Sequence, residues 1–282
     1  MSMQPHPILK ATALGVLLAL VVIRSALAVD GVIEINQVRA KAGGVTPGDT
    51  PLFPVTIDQP GSYRLTGNLD VTDASARPGS TLAENTTAIH VTANDVTIDL
   101  NGFMIKSPTS CSGTPLMCSP MGSGMGIDAN APTQSGVAVL NGTVRGMGAN
   151  GMSLGDQSLV EKVRAVSNGS AGIAATTVTN CTADKNAGAG IGADTVANCT
   201  ADNNGIIGIL AVTVANCTAR FSGGTGIGAS TATGCSALAN GGKGIVAITA
   251  IGCTADSNVG TQISANGIAG HNVCGPPFVP CP

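Results

Sequence analysis

The chain has 282 residues, of which 43% are hydrophobic, only 10% are charged and 2% are aromatic, and it contains 39 glycines. A disordered polyelectrolyte would carry more charge, a nucleic-acid-binding protein would be basic rather than at net charge -3, and collagen would need glycine at every third position. The remaining possibility is a folded chain whose core is built from small aliphatic side chains.

Residues 1–28 have the layout of a secretory signal peptide. Lys10 precedes the apolar run 11–23, and the small residues Ala26 and Ala28 mark a cleavage site. The run is shorter than the roughly 20 residues that a membrane-spanning helix needs. The pattern therefore predicts export by a Sec-type signal to a secreted or periplasmic location, with no membrane span after signal removal. A retained membrane anchor is the alternative.

Strand patterns begin after residue 75 and are interrupted once. The segments 88–91 (AIHV) and 95–103 (DVTIDLNGF) alternate as strands do, and residues 106–125 then break the spacing as a loop insertion. Because the ends of stacked strands expose unpaired edges, we expect caps over 29–75 and 267–282. The body between them is residues 76–266.

An 18-residue repeat fills the C-terminal half. Five cysteines recur at this spacing, and the copies TVTNCTADKNAGAGIGAD and TVANCTADNNGIIGILAV show two short alternating runs separated by Asn- and Gly-rich turns. Each copy is too short for anything but one coil of a parallel β-solenoid. Stacked in register, its residues form two interior columns: Cys181, Cys199, Cys217, Cys235, Cys253, and Ile173, Ile191, Ile209, Ile227, Ile245, Ile263.

The same pattern fixes the expected coil number and handedness. Counting back through Met152 and Ile127 to Ile89 gives about nine coils. A left-handed hexapeptide helix would need an aliphatic residue six positions before each ladder isoleucine, where Lys185 and Asn203 stand instead. The prediction is therefore an all-β fold, a right-handed parallel β-helix.

The copies resemble the right-handed parallel β-helix repeat of pectin-lyase-like proteins, in which Asn and Gly-Ile recur at this spacing. The stretch 88–103 resembles the opening coil of that family, and residues 47–70 resemble its N-terminal cap. The resemblance implies a fold and leaves the activity open, because the family includes enzymes, adhesins and other proteins.

The nine cysteines separate into two groups. Ladder side chains point inward in parallel, so they are predicted to be buried thiols rather than disulfides, and zinc is disfavoured because its four ligands must converge. The other four predict two local disulfides, Cys111–Cys118 and Cys274–Cys281. A third column is predicted to be structural, with asparagine side chains that satisfy turn backbone: Asn168, Asn186, Asn204, Asn240 and Asn258.

Candidate catalytic residues come only from outward positions. Arg145 and Arg164 are expected on one face beside Asp184 and Asp202. Polysaccharide lyases of the resembled fold use an arginine base with calcium-binding carboxylates, so this set is the enzymatic alternative, and calcium is its only implied cofactor. A solvated polar face is the simpler interpretation. An ice-binding threonine row is a further alternative.

The leading functional prediction is a secreted solenoid with a structural or surface-interaction role. Only His90 and His271 follow the signal peptide, and the aromatic platforms typical of sugar sites are scarce. We therefore expect no catalytic centre and no metal, and a partner such as a polysaccharide or cell-surface component rather than nucleic acid. A polysaccharide lyase or glycoside hydrolase is the alternative.

Overall fold

The computed structural model describes residues 31–131, 134–269, 272–275 and 279–280. Within these ranges, one short helix, α1 (Gln37–Ala42), and two 3-10 turns, Ala74–Ala76 and Ala83–Asn85, accompany the strands. The first strands are β1 (Ile33–Ile35), β2 (Val55–Ile57), β3 (Gly61–Leu65), β4 (Leu69–Asp70), β5 (Ile89–Val91), β6 (Val96–Asp99), β7 (Met104–Lys106), β8 (Ser110–Ser112), β9 (Met117–Ser119), β10 (Ile127–Ala129), β11 (Ala138–Arg145), β12 (Met152–Leu154) and β13 (Leu159–Val166). They continue as β14 (Ile173–Ala174), β15 (Thr177–Thr179), β16 (Thr182–Asp184), β17 (Ile191–Ala197), β18 (Thr200–Asp202), β19 (Ile209–Ala215), β20 (Thr218–Arg220), β21 (Ile227–Thr233), β22 (Ser236–Leu238), β23 (Ile245–Ile251), β24 (Thr254–Asp256), β25 (Ile263–Ala269), β26 (Val273–Cys274) and β27 (Val279–Pro280).

Apart from the antiparallel pairs β8–β9 and β26–β27, the strands stack in parallel into three faces, and the longer strands contribute to two faces. Face A contains β2, β5, β10, β12, β14 and the first three residues of β17, β19, β21, β23 and β25. Face B contains β1, β3, β6, β15, the first three residues of β11 and β13, and the last three residues of the long strands β17, β19, β21, β23 and β25. Face C contains β4, β7, the last three residues of β11 and β13, and β16, β18, β20, β22, β24 and β26.

The predicted parallel β-solenoid with an 18-residue period is therefore confirmed. Seven turns connect Ile127 to Ile263 on face A, slightly fewer than the nine coils expected, and the last five of them have the 18-residue period. The coils before Ile127 have longer connections between their face A strands and are not counted among these seven. Strands β2, β3 and β4 already stack on these coils, within the residues expected to cap the N-terminal end.

Polar turn residues allow the sharp corners between faces. Asn180, Asn198 and Asn216 join face B to face C with φ between 53° and 55°, a left-handed conformation that asparagine tolerates better than most residues. The next residue in each coil is a ladder cysteine, which the corner turns inward. The thiols of Cys181 and Cys199 are each 2% exposed.

The thiols form hydrogen bonds along the solenoid axis. Cys181 Sγ accepts from the backbone N–H of Val163 at 3.4 Å and lies 3.1 Å from the carbonyl oxygen of Thr179. The N–H of Cys181 in turn donates to Cys199 Sγ at 3.3 Å. All five ladder cysteines are free and buried. The neighbouring Cys181 thiol, followed by burial, raises the pKa of Cys199 to about 12, so this thiol stays protonated.

The asparagine column is buried at the turn from face C to face A. Asn186 Nδ2 donates to the carbonyl oxygen of Ala165 at 3.1 Å and to Asn204 Oδ1 at 3.0 Å. Asn186 Oδ1 accepts from the N–H of Asn168 at 3.1 Å. The remaining column members, Asn240 and Asn258, repeat this pattern between themselves. These amides satisfy backbone groups that the turn would otherwise bury without partners.

The insertion 106–125 contains the antiparallel hairpin β8–β9, closed by the Cys111–Cys118 disulfide. Cys281 lies outside the described residues, so the pairing Cys274–Cys281 stays a prediction, as does the signal peptide over 1–28. Much of the expected cap 267–282 lies outside them too. Within the described ranges, no helix is both long and apolar enough to cross a membrane.

Candidate functional site

The four residues of the enzymatic alternative lie on face C, with a register that differs from the one expected. Arg145 pairs with Val166, which pairs with Asp184, whereas Arg164 pairs with Thr143 and Thr182. The two arginines therefore occupy neighbouring columns. The reason is that the partners Val144 and Ala165 are 21 residues apart, not 18 or 19, so the earlier coil is longer than the repeat unit.

Asp184 and Asp202 are register partners on face C and are both half-buried. Burial is the main factor that raises the pKa of Asp184, and the negative charge of Asp202 adds to it. Asp202 is itself paired with Arg220, whose Nη2 lies 3.0 Å from Asp202 Oδ2. Asp202 and Arg220 therefore form a surface ion pair.

Two cavities open instead on face A. The larger, of about 590 Å³, follows the outward positions of four successive coils. Ser153, Ala174, Gly192 and Leu210 occupy these positions and are consecutive register partners. Because three of the four side chains are small or absent, the face is recessed there. The groove spans three strand spacings, about 14 Å.

Two carboxylates border this groove at the turn toward face B. Asp156 and Asp194 are exposed and line the cavity with Asn130 and Thr176. Neither carboxylate makes an ion pair or a side-chain hydrogen bond within the described part of the chain. No lysine or arginine of the described ranges lines the groove. The carboxylate oxygens of Asp156 and Asp194 are therefore available to accept hydrogen bonds from a ligand.

The smaller cavity, of about 250 Å³, lies one coil nearer the N-terminal end of face A. His90 on β5 and Asp128 on β10 are register partners that point outward into it. His90 Nδ1 lies 3.3 Å from Asp128 Oδ2. Asp128 is in turn the register partner of Ser153, so the cavity and the groove occupy adjacent coils.

Neither cavity is lined by Arg145, Arg164, Asp184 or Asp202, nor by a residue of the insertion 106–125. Sequence analysis missed the His90–Asp128 pair because the two residues are 38 positions apart, with the insertion between them. A signal was present: each directly follows a ladder isoleucine, Ile89 or Ile127, and so has the same offset. Among the described residues, no group of three metal-ligating side chains occurs.

Comparisons with known proteins match the fold alone. The structure aligns with a pectate lyase, Pel9A, at a TM-score of 0.52 and 14% identity, over 75% of this chain and 70% of that one. It also aligns with ORF18 of Geobacillus virus E2 (TM-score 0.47, 12% identity, 80% and 52% of the two chains). A third match is the A-module of mannuronan C-5 epimerase AlgE6 from Azotobacter vinelandii (TM-score 0.37, 13% identity, 80% and 79%).

This chain thus spans about half the length of the viral protein. No protein-family model and no curated protein matches the sequence. The right-handed parallel β-helix expected from the 18-residue repeat is confirmed as the fold that this chain shares with the pectate lyase.

Proposed function

We propose that this protein is an exported β-solenoid that binds an extended, uncharged polysaccharide of a cell surface along the groove of face A. The observation that carries the proposal is the recessed row Ser153, Ala174, Gly192, in which neighbouring coils present small side chains at the same position. A row of this kind admits a ligand that runs along the solenoid axis across several coils.

The polar lining favours a neutral ligand. Asp156 and Asp194 have no cationic partner within the described residues, and their carboxylates would repel a polyuronate chain. The same carboxylates, with the Asn130 amide, can accept hydrogen bonds from sugar hydroxyls. Because none of the aromatic residues that the structure describes lines the groove, sugar stacking contributes nothing and the affinity should be modest.

Export is part of the proposal and has separate support. The Cys111–Cys118 disulfide is typical of proteins in oxidising compartments. Expression of the whole chain, followed by fractionation and N-terminal sequencing of the mature protein, tests it. We expect the exported protein to begin at Val29; a cytoplasmic product that retains Met1 would contradict export.

A polysaccharide lyase that uses Arg145, Arg164, Asp184 and Asp202 with calcium is less well supported, because these residues line neither cavity. An assay for unsaturated products from polygalacturonate with calcium addresses this alternative. We expect no product above background, and no difference between the wild-type protein and Arg164→Ala.

The binding proposal is tested by filling the groove with a side chain that the fold already accepts. Gly192→Leu introduces the residue that the next coil carries at the same position, Leu210. A Cβ at Gly192 would meet nothing closer than 4.0 Å. Ser264→Val is the matched control, because Ser264 lies in the same column beyond the groove and its partner in the preceding coil is Val246.

The measurement is calorimetric or fluorescence titration with linear neutral oligosaccharides, such as gluco- and xylo-oligosaccharides, and with oligogalacturonate as the charged comparison. We expect binding to a neutral chain that weakens at least about 10-fold in Gly192→Leu and stays unchanged in Ser264→Val. Binding that is insensitive to Gly192→Leu, or stronger for oligogalacturonate, would reject the groove as this site.

A further inference from the structure

The smaller cavity holds a pair of groups suited to proton transfer. His90 Nδ1 faces Asp128 Oδ2 at 3.3 Å, and the two side chains are 41% and 31% exposed. A carboxylate at one ring nitrogen holds the imidazole in one orientation and places the proton on that nitrogen. The other nitrogen, Nε2, is then left as a base that can take a proton from water. Strands β5 and β10 fix this arrangement, since the residues that precede the pair, Ile89 and Ile127, are register partners in the core.

The remaining lining residues exclude several chemistries. Glycoside hydrolysis normally needs two carboxyl groups across the bond, but among the described residues Asp128 is the only carboxylate in the lining. Elimination from a uronate needs a cation to neutralise the substrate carboxylate, and no described lysine or arginine lines the cavity. The described lining contains threonines but no serine or cysteine nucleophile. Of the reactions considered, attack by water on a neutral acyl carbon is the one that this lining fits.

The cavity wall fits the two ends of an ester. Phe53, Pro54 and Pro78 give the lining apolar surface, which suits a short acyl group. Thr87 also lines the cavity, and its Oγ1 accepts from the backbone N–H of Met125 at 3.2 Å. Its hydroxyl proton makes no hydrogen bond to any described residue, so it remains free to donate to a developing oxyanion. The volume of about 250 Å³ limits the site to a small substituent.

We propose that the His90–Asp128 pair hydrolyses a small ester, such as an acetyl group, carried by a neutral polysaccharide. His90 Nε2 takes a proton from water while the water oxygen forms a bond to the ester carbonyl carbon. The tetrahedral intermediate then collapses, the carbon–oxygen bond to the alcohol breaks, and the Nε2 proton passes to the leaving oxygen. The products are a carboxylic acid and the free sugar hydroxyl, and Asp128 holds the imidazole in place throughout.

This proposal rests on the proposed function only for the polymer that carries the ester. The adjacency of Asp128 and Ser153 places the pair at the end of the groove, so a chain lying along face A would present its substituents there. A small chromogenic ester does not need the groove, and this separates the two proposals experimentally.

The first experiment measures hydrolysis of 4-nitrophenyl acetate by the mature protein and by His90→Ala. We expect kcat/KM to fall at least about 100-fold in the variant. His271→Ala, which removes the other histidine after residue 28, controls for unspecific imidazole reactivity and should leave the rate unchanged. Equal rates for wild-type protein and His90→Ala would overturn the proposal. If circular dichroism shows that His90→Ala is misfolded, His90→Gln replaces it under the same criterion.

Asp128 is assigned as a positioning residue, because it acts through His90. Asp128→Asn should lower kcat at least about 10-fold with little change in KM, and Asp128→Glu should recover part of kcat. Asp202→Asn on face C is the matched control and should have no effect. A change in KM alone, or an equal loss in Asp128→Glu, would contradict the assignment.

The second experiment measures acetate release from acetylated xylan, with His90→Ala as the reference. Release that depends on His90 supports a polymer-borne ester. Hydrolysis of 4-nitrophenyl acetate without release from the polymer would reject the polymer as substrate while leaving the His90–Asp128 chemistry in place. Polymer binding in the groove without ester hydrolysis would overturn the present proposal and leave the proposed function standing.

Discussion

The backbone N–H of Ser222 donates to Asn240 Oδ1 at 3.0 Å, but the Ser222 hydroxyl, although buried, has no hydrogen-bond partner. Ser222 stands at the single position where the asparagine column is interrupted between Asn168 and Asn258. As a result, the amide of Asn204 donates to the Ala183 carbonyl oxygen and lacks the second acceptor that Asn186 has in Asn204.

Ser222→Asn should therefore stabilise the protein. The new amide would offer its oxygen to the backbone and side chain of Asn204, and the glycine that accommodates such an amide is already present. Asn204 packs against Gly190, where an added Cβ would lie only 2.5 Å from the Asn204 amide nitrogen. Gly208 is the equivalent glycine beside Ser222, where an added Cβ would lie 3.0 Å from Ser222 Oγ. We expect the free energy of unfolding to rise by about 1–2 kcal/mol, measured by urea denaturation. A decrease would show that the coil cannot accept the amide.

Asn186→Ala should have the opposite and larger effect. It removes the donor to the Ala165 carbonyl oxygen and the acceptor for the N–H and amide of Asn168. Because these groups are buried, their loss of partners should cost about 2–4 kcal/mol. Thr182→Ala, on the surface of the same coil, should change stability by less than about 0.5 kcal/mol. Similar losses in both variants would contradict a specific role for the column.

The ladder thiols should be unreactive in the folded protein. Cys217 is 1% and Cys253 0% exposed, and all five ladder cysteines are buried, so a reagent in solution cannot reach their sulfur atoms. Titration with a disulfide reagent should detect essentially no thiol in native protein and five after unfolding. Seven would show that Cys274 and Cys281 are not paired, and rapid reaction in the native state would contradict the burial of the column.

Asp70 should contribute to stability in a pH-dependent way. Partial burial opposes its charge, but hydrogen bonds from Lys106 and Thr72 outweigh burial and lower the pKa of Asp70 below 3.8. Lys106 Nζ lies 2.8 Å from Asp70 Oδ2. A lowered carboxyl pKa stabilises the folded state above the unfolded-state value, and this stabilisation is lost as the pH falls through the folded-state value.

Asp70→Asn should consequently lose about 0.5–1 kcal/mol at pH 7, as is usual for a partly exposed ion pair. The difference from wild type should shrink below about pH 3.8. Thermal unfolding at pH 7 and pH 3 measures both quantities. A difference that stays constant between the two pH values would mean that the charge of Asp70 is not responsible.

The repeat made the fold predictable because its period equals one coil. Once Cys181 and Cys199 are aligned, the inward or outward direction of every residue follows from the alternation of the strands. The burial of Ile191 and the exposure of Asp194 follow in this way. The stacking of Met152 on Ile173, outside the exact copies, was also predicted and is confirmed.

Prediction was weaker where coil length varies. The connection between Val144 and Ala165 is longer than one repeat, and the offset moved Arg145 into another column than Arg164. The candidate site was missed for the same reason. His90 and Asp128 belong to coils of unequal length, so their contact depends on the ladder isoleucines and cannot be found by matching residues at a fixed interval.

Equivalent contacts in every coil also make the length of the rod adjustable in whole units. Removal of residues 213–230 would join Val212 to Thr231 and shorten the rod by one strand spacing, about 4.8 Å. Cys199 would then stack on Cys235, and Asn204 would take Asn240 as its acceptor in place of Ser222. A deletion of one complete unit would thus leave a column more regular than the original, and the span over which this molecule can reach a surface could change by duplication or loss of a single unit without redesign of its interior.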